Sequence, residues 1–525
     1  MSASTERKTR AAAREAGTDK KMLAQQEAEK KVAKSRRRWT IGSILVAILL
    51  IVIILLNSSL LYTGTKALTI GTRSYSPAEL SYAYVNQYSA FLNTYGGYAS
   101  LLGLDTSRGV HSLDSQECSM LGEGKTWRDY FLQGAENDLL QTGVLKTYAE
   151  QNGVALDQAD LAEIEREIAS IGELAETYGF SSANRFLAAQ YGAGVSTRLV
   201  RAMMEDNALA SKALQAYSDS IPFTAEELEE YYASLEGASD YFDYASYFVA
   251  AESLPVEDGE AASEDNTVTL APTDETRLEA RMTAEAIETA YKDGYDISDP
   301  VERLNAAIEA ENDAASASVN SRAIGSGLGD LGAWLRDGSR KAGDVGVVEA
   351  SDGSGYTVAV FIAREDNHYA TVSVRHILIK AEASEDGTFS EEAKQAALEK
   401  INEIKAEYES GDQTEASFAA LAEKYSQDDG SNLRGGLYEK IYKGEMVEAF
   451  NDFCFGGHKP GDIAVLYGEN GGYAGYHLVY FVGEGPLYSE LLARNALVEE
   501  PVNEFLAAQT EGLEPRLHFL AKLVG

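Results

Sequence analysis

The sequence predicts an α+β protein built in series over 525 residues: one N-terminal membrane-crossing helix, a helical region, then two successive α+β domains. Three observations lead there. Residues 39–61 contain no charged side chain. Residues 62–235 show apolar positions at helical spacing behind repeated capping signals. Residues 240–366 and 370–484 each set strand-like runs on both sides of helical ones. At roughly 100–200 residues per domain, the chain is long enough for several cores.

Within the first stretch, residues 41–56 (IGSILVAILLIVIILL) are sixteen residues without one charge. The uncharged run reaches about 20 residues, the length a helix needs to cross a bilayer core. Residues 1–38 carry 12 Lys/Arg against 5 Asp/Glu, with Arg36, Arg37 and Arg38 just before the run. The positive-inside rule makes this basic tail cytoplasmic and places everything after Leu61 outside, anchored in the cell membrane by a single pass. A cleaved signal peptide is the rival reading. The basic leader is long for one, and no A-x-A-like site follows the run, so an uncleaved signal-anchor is expected.

Net charge is −38, which leaves −45 on the residues after 61. So acidic a body argues against nucleic acid as a partner. Two cysteines and six histidines exclude a disulfide scaffold and a Cys₄ zinc site, and no metal is expected.

A short strand is expected over 67–70. Ser76-Pro77-Ala78-Glu79 then opens a helix, with Ser at the N-cap, Pro at N1 and Glu at N3. Further helices are expected over 126–152, 156–172, 182–192 and 196–217, and Thr224 to Glu227 caps another. No catalytic constellation stands out in this region. Beyond it, 241–250 (YFDYASYFVA) is strand-like, and 253–275 is an acidic insert without periodicity. A helix over 276–292, Gly-rich turns over 325–332 and a hairpin pattern complete the first α+β stretch. The second reads strand 371–380, helices 390–408 and 417–425, a turn at Gly435-Gly436, a helix over 444–455 and a strand over 475–482. A C-terminal helical segment over 487–525 carries Pro501 and Pro515, which break or kink it.

The chemistry lies in a set of short motifs in the last third: Arg375-His376-Ile377-Leu378, Phe418-Ala419-Ala420-Leu421-Ala422, Tyr425-Ser426-Gln427-Asp428, Gly435-Gly436-Leu437, Lys443-Gly444-Glu445-Met446-Val447, Phe450, Phe455, Gly461-Asp462-Ile463 and Gly475-Tyr476-His477. In this order they resemble the parvulin family of peptidyl-prolyl cis/trans isomerases. The wider layout, a helical chaperone-like region at 62–235 before a parvulin-like domain at 370–484, resembles membrane-anchored exported foldases of the PrsA/SurA type.

The resemblance implies a reaction in which no covalent bond changes. Rotation about a peptide bond costs ~18–20 kcal/mol because resonance is lost, and uncatalysed X–Pro exchange takes ~10–100 s. A catalyst needs an apolar cradle for the proline ring and polar groups matched to the twisted amide. By resemblance, Met446 and Phe450 form the cradle and Phe455 its floor. His376 and His477 form a hydrogen-bonded pair on the central strands. Asp428 lies beside the substrate carbonyl with an electrostatic role. No cofactor is implied, and the partners are unfolded, proline-containing exported polypeptides. Gly472, Tyr473 and Ala474 stand where family members often carry Thr or Ser, so a hydroxyl beside the histidines is expected to be missing. This leaves two functions open: an isomerase, or an anchored holdase that binds peptide without catalysis. The acidic loop with Glu382, Glu385 and Asp386 argues against a preference for phosphorylated Ser-Pro or Thr-Pro.

Residues 240–366 read as a second, degenerate parvulin-like domain. Ser246 and Thr357 align with His376 and His477, Gly329-Asp330-Leu331 with Gly435-Gly436-Leu437, and Gly343-Asp344-Val345 with Gly461-Asp462-Ile463. The helix bearing Met446 and Phe450 is expected to have no counterpart there.

Overall fold

In the computed structural model, the described residues are 3–17, 39–49, 59–255, 270–294, 296–312, 315–384, 386–470 and 472–524. No helix among them is long and apolar enough to cross a membrane. This overturns the membrane span expected over 39–61, and with it the signal-anchor, the single-pass placement with a cytoplasmic N-terminus, and the membrane as a partner. The helical residues 39–49 number eleven. At 1.5 Å rise they measure ~16 Å against a core of ~30 Å. Residues 50–58 lie outside the described residues, and Ser59–Thr63 is a five-residue helix. Of the basic tail, Ala3–Glu15 is helical, and 18–38 lie outside the described residues.

The chain forms two compact units, Met1–Tyr217 with Glu504–Gly525, and Ser218–Asn503. Helices with capping boxes dominate the first. Ser76 accepts from the Glu79 amide, and the Glu79 carboxylate accepts from the Ser76 amide at 2.7 Å. Orphan donors at the N-terminus of Pro77–Tyr95 are thereby satisfied. Thr126 with Asp129, and Asp157 with Asp160, repeat the device at Trp127–Asn152 and Gln158–Thr177. Phe91, Trp127 and Phe131 meet at centroid separations of 5.2–5.7 Å in the core. The C-terminus closes this unit. Arg516–Leu517 pairs antiparallel with Leu68–Ile70, which pairs in turn with Arg73–Tyr75. Phe505 stacks on Tyr217 at 3.9 Å. Pro501 sits in the first turn of Glu499–Thr510, where no intrahelical N–H is required of it.

The second unit contains two four-stranded antiparallel sheets. The first is formed by β1 (Tyr241–Ala250), β2 (Ser318–Ile324), β3 (Val345–Glu349) and β4 (Gly355–Glu365). The second is formed by β5 (Ala370–Lys380), β6 (Leu437–Ile441), β7 (Ile463–Asn470) and β8 (Tyr473–Leu487). Their spatial orders are β2-β1-β4-β3 and β6-β5-β8-β7. Two helices follow the leading strand of each: Asp274–Lys292 and Pro300–Glu309, then Glu391–Ser410 and Glu415–Tyr425. Most of the acidic insert (256–269) lies outside the described residues; its flanks Ser253–Pro255 and Leu270–Pro272 pair with each other.

The period of two along a strand divides the second sheet's side chains between two cores. Ile377, Ile379, Leu478 and Tyr480 pack with Ile401, Ile404 and Phe418. Val372, Val374, Val479 and Phe481 pack with Phe450, Phe453 and Cys454. Each sheet also carries the same turn. Gly343 and Gly461 donate to the carbonyls of Phe361 and Phe481, whose amides donate back to the carbonyls of Asp344 and Asp462.

The pairing of glycine motifs between the two stretches fares differently. Leu437 begins β6, whereas the matching strand of the first sheet, β2, ends before Gly329. Gly329–Leu331 instead leads into a helix, Gly332–Leu335. A short helix therefore does stand between β2 and β3, where none was expected.

Candidate active site

His376 and His477 lie on the two central strands of the second sheet. The register pairs His376 with Val479 and Leu378 with His477. The imidazoles therefore sit diagonally on one face, with Nδ1 atoms 3.2 Å apart and rings nearly parallel. Both side chains are buried, at 4% and 5% exposure. Gly436 fixes the backbone of His376. Its carbonyl accepts from the His376 amide at 2.8 Å. Its φ is +71°, and a Cβ there would lie 2.1 Å from the His376 oxygen, so only glycine fits.

Asp428 reaches the pair from the loop after Glu415–Tyr425. That loop is clipped to β5: Gln427 donates to the Leu378 carbonyl, and the Leu378 amide donates to the Ser426 hydroxyl. The Asp428 Oδ2 atom lies 2.9 Å from His376 Nε2. It also accepts from Ser431 and, at 3.2 Å, from the Tyr438 hydroxyl. Burial works against the charge of this carboxyl. Hydrogen bonds from His376 and Ser431, the His376 charge and Tyr438 outweigh it and hold the group far below the carboxylate range. Burial first, then repulsion from His376, lowers His477 to about 4.

With Asp428 ionised, His376 donates from Nε2 to the carboxylate, and a single hydrogen bridges the two Nδ1 atoms. Tyr473 Oη lies 3.1 Å from His477 Nε2. A hydroxyl is therefore present where the sequence suggested one was missing. It comes from a side chain whose reach along the strand the sequence pattern does not show.

Met446 and Phe450 line a cleft of about 490 Å³ together with His376, Asp428, Tyr438, Tyr473 and His477. The Phe450 ring stands edge-on to both imidazoles, at 5.6 Å from each. Met446 is not on the helix, as the i, i+4 spacing suggested. That helix is Glu448–Cys454. Gly444, at φ +81°, and the Glu445 side chain, which accepts from the Tyr442 amide, turn the chain before it. Phe455 is not among the residues lining this cleft; its ring packs edge-on against Tyr369 at 5.6 Å. Cys454 is buried, its thiol pushed up to about 12 by burial and Glu445, so it offers no nucleophile. Ser431, Tyr438 and Tyr473 are the site residues that the motifs left out. Tyr438, one residue beyond Gly435-Gly436-Leu437, was the one most open to detection.

Residues 356–482 match the PPIC-type PPIASE domain. The chain carries a parvulin-type peptidyl-prolyl isomerase domain. The match begins on β4, in the last strand of the first sheet, and ends near the close of the second. Among curated proteins none matches the chain. Solved structures similar to it include peptidylprolyl isomerase PrsA from Bacillus anthracis, at 24% identity. That match covers 27% of this chain and 60% of that one, with a TM-score of 0.17. PrsA from Bacillus cereus matches at 19% over 46% and 82%, with a TM-score of 0.20. PrsA from Bacillus subtilis matches at 12% over 74% and 87%, with a TM-score of 0.26. The chain thus spans three fifths of the first of these relatives. At such TM-scores the isomerase assignment rests on the sequence match and the site, not on overall shape.

Proposed function

We propose that this chain is a foldase that isomerises X–Pro bonds in unfolded polypeptides, exported chains being the client class that the family resemblance suggests. One observation carries the reading. A half-buried, ionised Asp428 and the paired His376 and His477 face Met446 and Phe450 across one cleft. In the planar amide, resonance places negative charge on the carbonyl oxygen. A fixed carboxylate beside that oxygen disfavours the charge-separated form, and the twisted amide escapes the penalty. Met446 and Phe450 hold the proline ring away from water while the bond turns. The helical unit would hold clients. Residues 240–366 would be a degenerate copy of the isomerase fold without its chemistry.

The rival reading, peptide binding without catalysis, rested on a missing hydroxyl beside the histidines. The Tyr473 contact at 3.1 Å removes that ground. The test is cis/trans exchange of an Ala-Pro peptide, followed by NMR, with the full chain beside Met446→Ala and His477→Ala. Exchange above the uncatalysed rate, falling roughly 10- to 100-fold in both variants, is expected. A folded chain that leaves the exchange rate unchanged overturns the proposal.

A further inference from the structure

We propose that Arg322, on the first sheet, is a positioning residue of the isomerase cleft on the second: it grips the Lys443–Gly444 peptide and so sets where Met446 stands. The proposal rests on the isomerase reading above.

The arginine owes its direction to an irregularity in β2. The register passes from Phe242 with Ala323 to Tyr244 with Asn320, so Asp243 alone faces Ser321 and Arg322. Such a bulge re-aims a side chain. Arg322 has φ +51°, a region few residues other than glycine enter, and its amide donates to Asp243 at 2.7 Å. The guanidinium lies 4.3 Å from the centre of the Tyr241 ring and donates to Glu365 at 3.0 Å, both on the first sheet. The other arm of the fork crosses to the second stretch and donates to the Lys443 carbonyl at 2.6 Å. Four residues, 366–369, join the two sheets, so the reach is short.

The Lys443 carbonyl and the Gly444 amide belong to one peptide group. Arg322 holds the carbonyl. Asn451 Oδ1, on the helix that carries Phe450, accepts from the amide at 2.7 Å. The group is thus fixed at both ends, two residues before Met446. A Cβ at Gly444 would lie 2.6 Å from Arg322 Nε, so the guanidinium fills the space a side chain would take. Lys443 is held as well. Its amide donates to the Tyr369 hydroxyl at 3.1 Å, and its ammonium lies 4.2 Å from the centre of that ring and 3.4 Å from Glu365. A planar fork serves Glu365 and the carbonyl together, which a point charge would not.

Released, the turn would let Met446 leave the cleft wall. His376, Asp428 and His477 are held by other elements and would stay. The proline ring would then be gripped less well in the planar and twisted states alike, a loss that raises KM and leaves kcat nearly unchanged.

The test uses the full chain, its seven methionines labelled with ¹³C at the methyl, as wild type, Arg322→Ala, Arg322→Met and Arg340→Ala. The spectrum of Met446→Ala assigns the Met446 signal. Arg322→Met keeps an apolar stem over Tyr241 and loses the donors. Arg340, stacked on Trp334 at 4.4 Å, controls for loss of an arginine from the first α+β stretch. Both Arg322 variants should move the Met446 methyl signal and raise KM for an Ala-Pro peptide about 3- to 10-fold, with kcat within about twofold. Arg340→Ala should do neither. An unmoved methyl signal and an unchanged KM in a folded Arg322 variant overturn the proposal, as does Arg340→Ala reproducing both changes. Failure of both Arg322 variants to fold overturns it too, by making the arginine a residue of stability. A wild-type chain that does not accelerate exchange overturns the isomerase reading alone; the methyl signal, which needs no turnover, then decides the positioning.

Discussion

In the first sheet Ser246 pairs with Ala359 and Phe248 with Thr357; in the second, His376 pairs with Val479 and Leu378 with His477. The offset is the same, and so are the strand order and the Gly-Asp turn. The side chains on that face differ. Phe242, Leu328, Leu335 and Phe361 pack together in the first sheet. In the second, the corresponding face opens into a cleft floored by two imidazoles. Backbone turns and buried apolar rows are common to both. The second sheet also brings a carboxylate to this face on a clipped loop, and Gly468 leaves room there for a hydroxyl.

Substitutions can sharpen or break this comparison, and the largest effect concerns what the sheets share. Phe361→Ala and Phe481→Ala each remove a buried ring at the same place, beside the Gly-Asp turn. Each should cost about 3–5 kcal/mol by native-state hydrogen exchange in its own sheet. A much smaller loss at Phe361 would mean that the two cores are not equivalent.

Acid should separate the sheets. His477 titrates near 4 when folded and near 6.5 when unfolded. Between these values the unfolded chain binds the extra proton, so stability falls as pH falls. The loss reaches the order of 3 kcal/mol by about pH 4. Below that, protonation of Asp428, whose folded pKa is depressed, adds to the loss. Hydrogen exchange against pH should show the second sheet weakening from pH 6.5 downwards, while the first, with Ser246 and Thr357 in these places, holds. Parallel weakening would assign the effect elsewhere.

On this face, catalysis should track one sheet only. Thr357→Ala should leave peptide exchange unchanged, against the 10- to 100-fold loss expected for His477→Ala, or about 1.4–2.7 kcal/mol. The smallest effect lies in the shared turn. Asp344 and Asp462 each accept from a lysine amide three residues earlier, at 2.9 and 2.8 Å. Replacing either by Ala should lower the thermal midpoint only slightly.

Much of this was legible because it is local. Capping boxes at Ser76, Thr126 and Asp157 need only a few residues to form, and the strand Tyr241–Ala250 shows in its own run of aromatic and β-branched residues. The ordered motifs named His376, Asp428, His477, Met446 and Phe450, all of which line one cleft. What escaped depends on backbone geometry that a residue pattern does not show. Tyr473 was in view, but its reach depends on Gly468 across the hairpin. Met446 sits at helical spacing from Phe450, yet Gly444 turns the chain ahead of the helix. Gly329-Asp330-Leu331 looks like Gly435-Gly436-Leu437 in composition, but only the latter leads into a strand. The apolar run over 39–61 has the composition of a membrane span, whereas no helix among the described residues is long and apolar enough to cross one.

The pairing of Leu68 with Leu517 has a consequence for synthesis. The neighbouring contact, Thr69 with His518, joins residues 449 positions apart. At ~5–20 residues per second, a ribosome needs on the order of half a minute or more between making one edge of that small sheet and making the other. The isomerase domain, whose last strand closes at Leu487, is complete about 30 residues earlier, ~1.5–6 s before Arg516 is added. For those few seconds the chain carries a completed isomerase domain beside an N-terminal unit whose last strand is still to be translated.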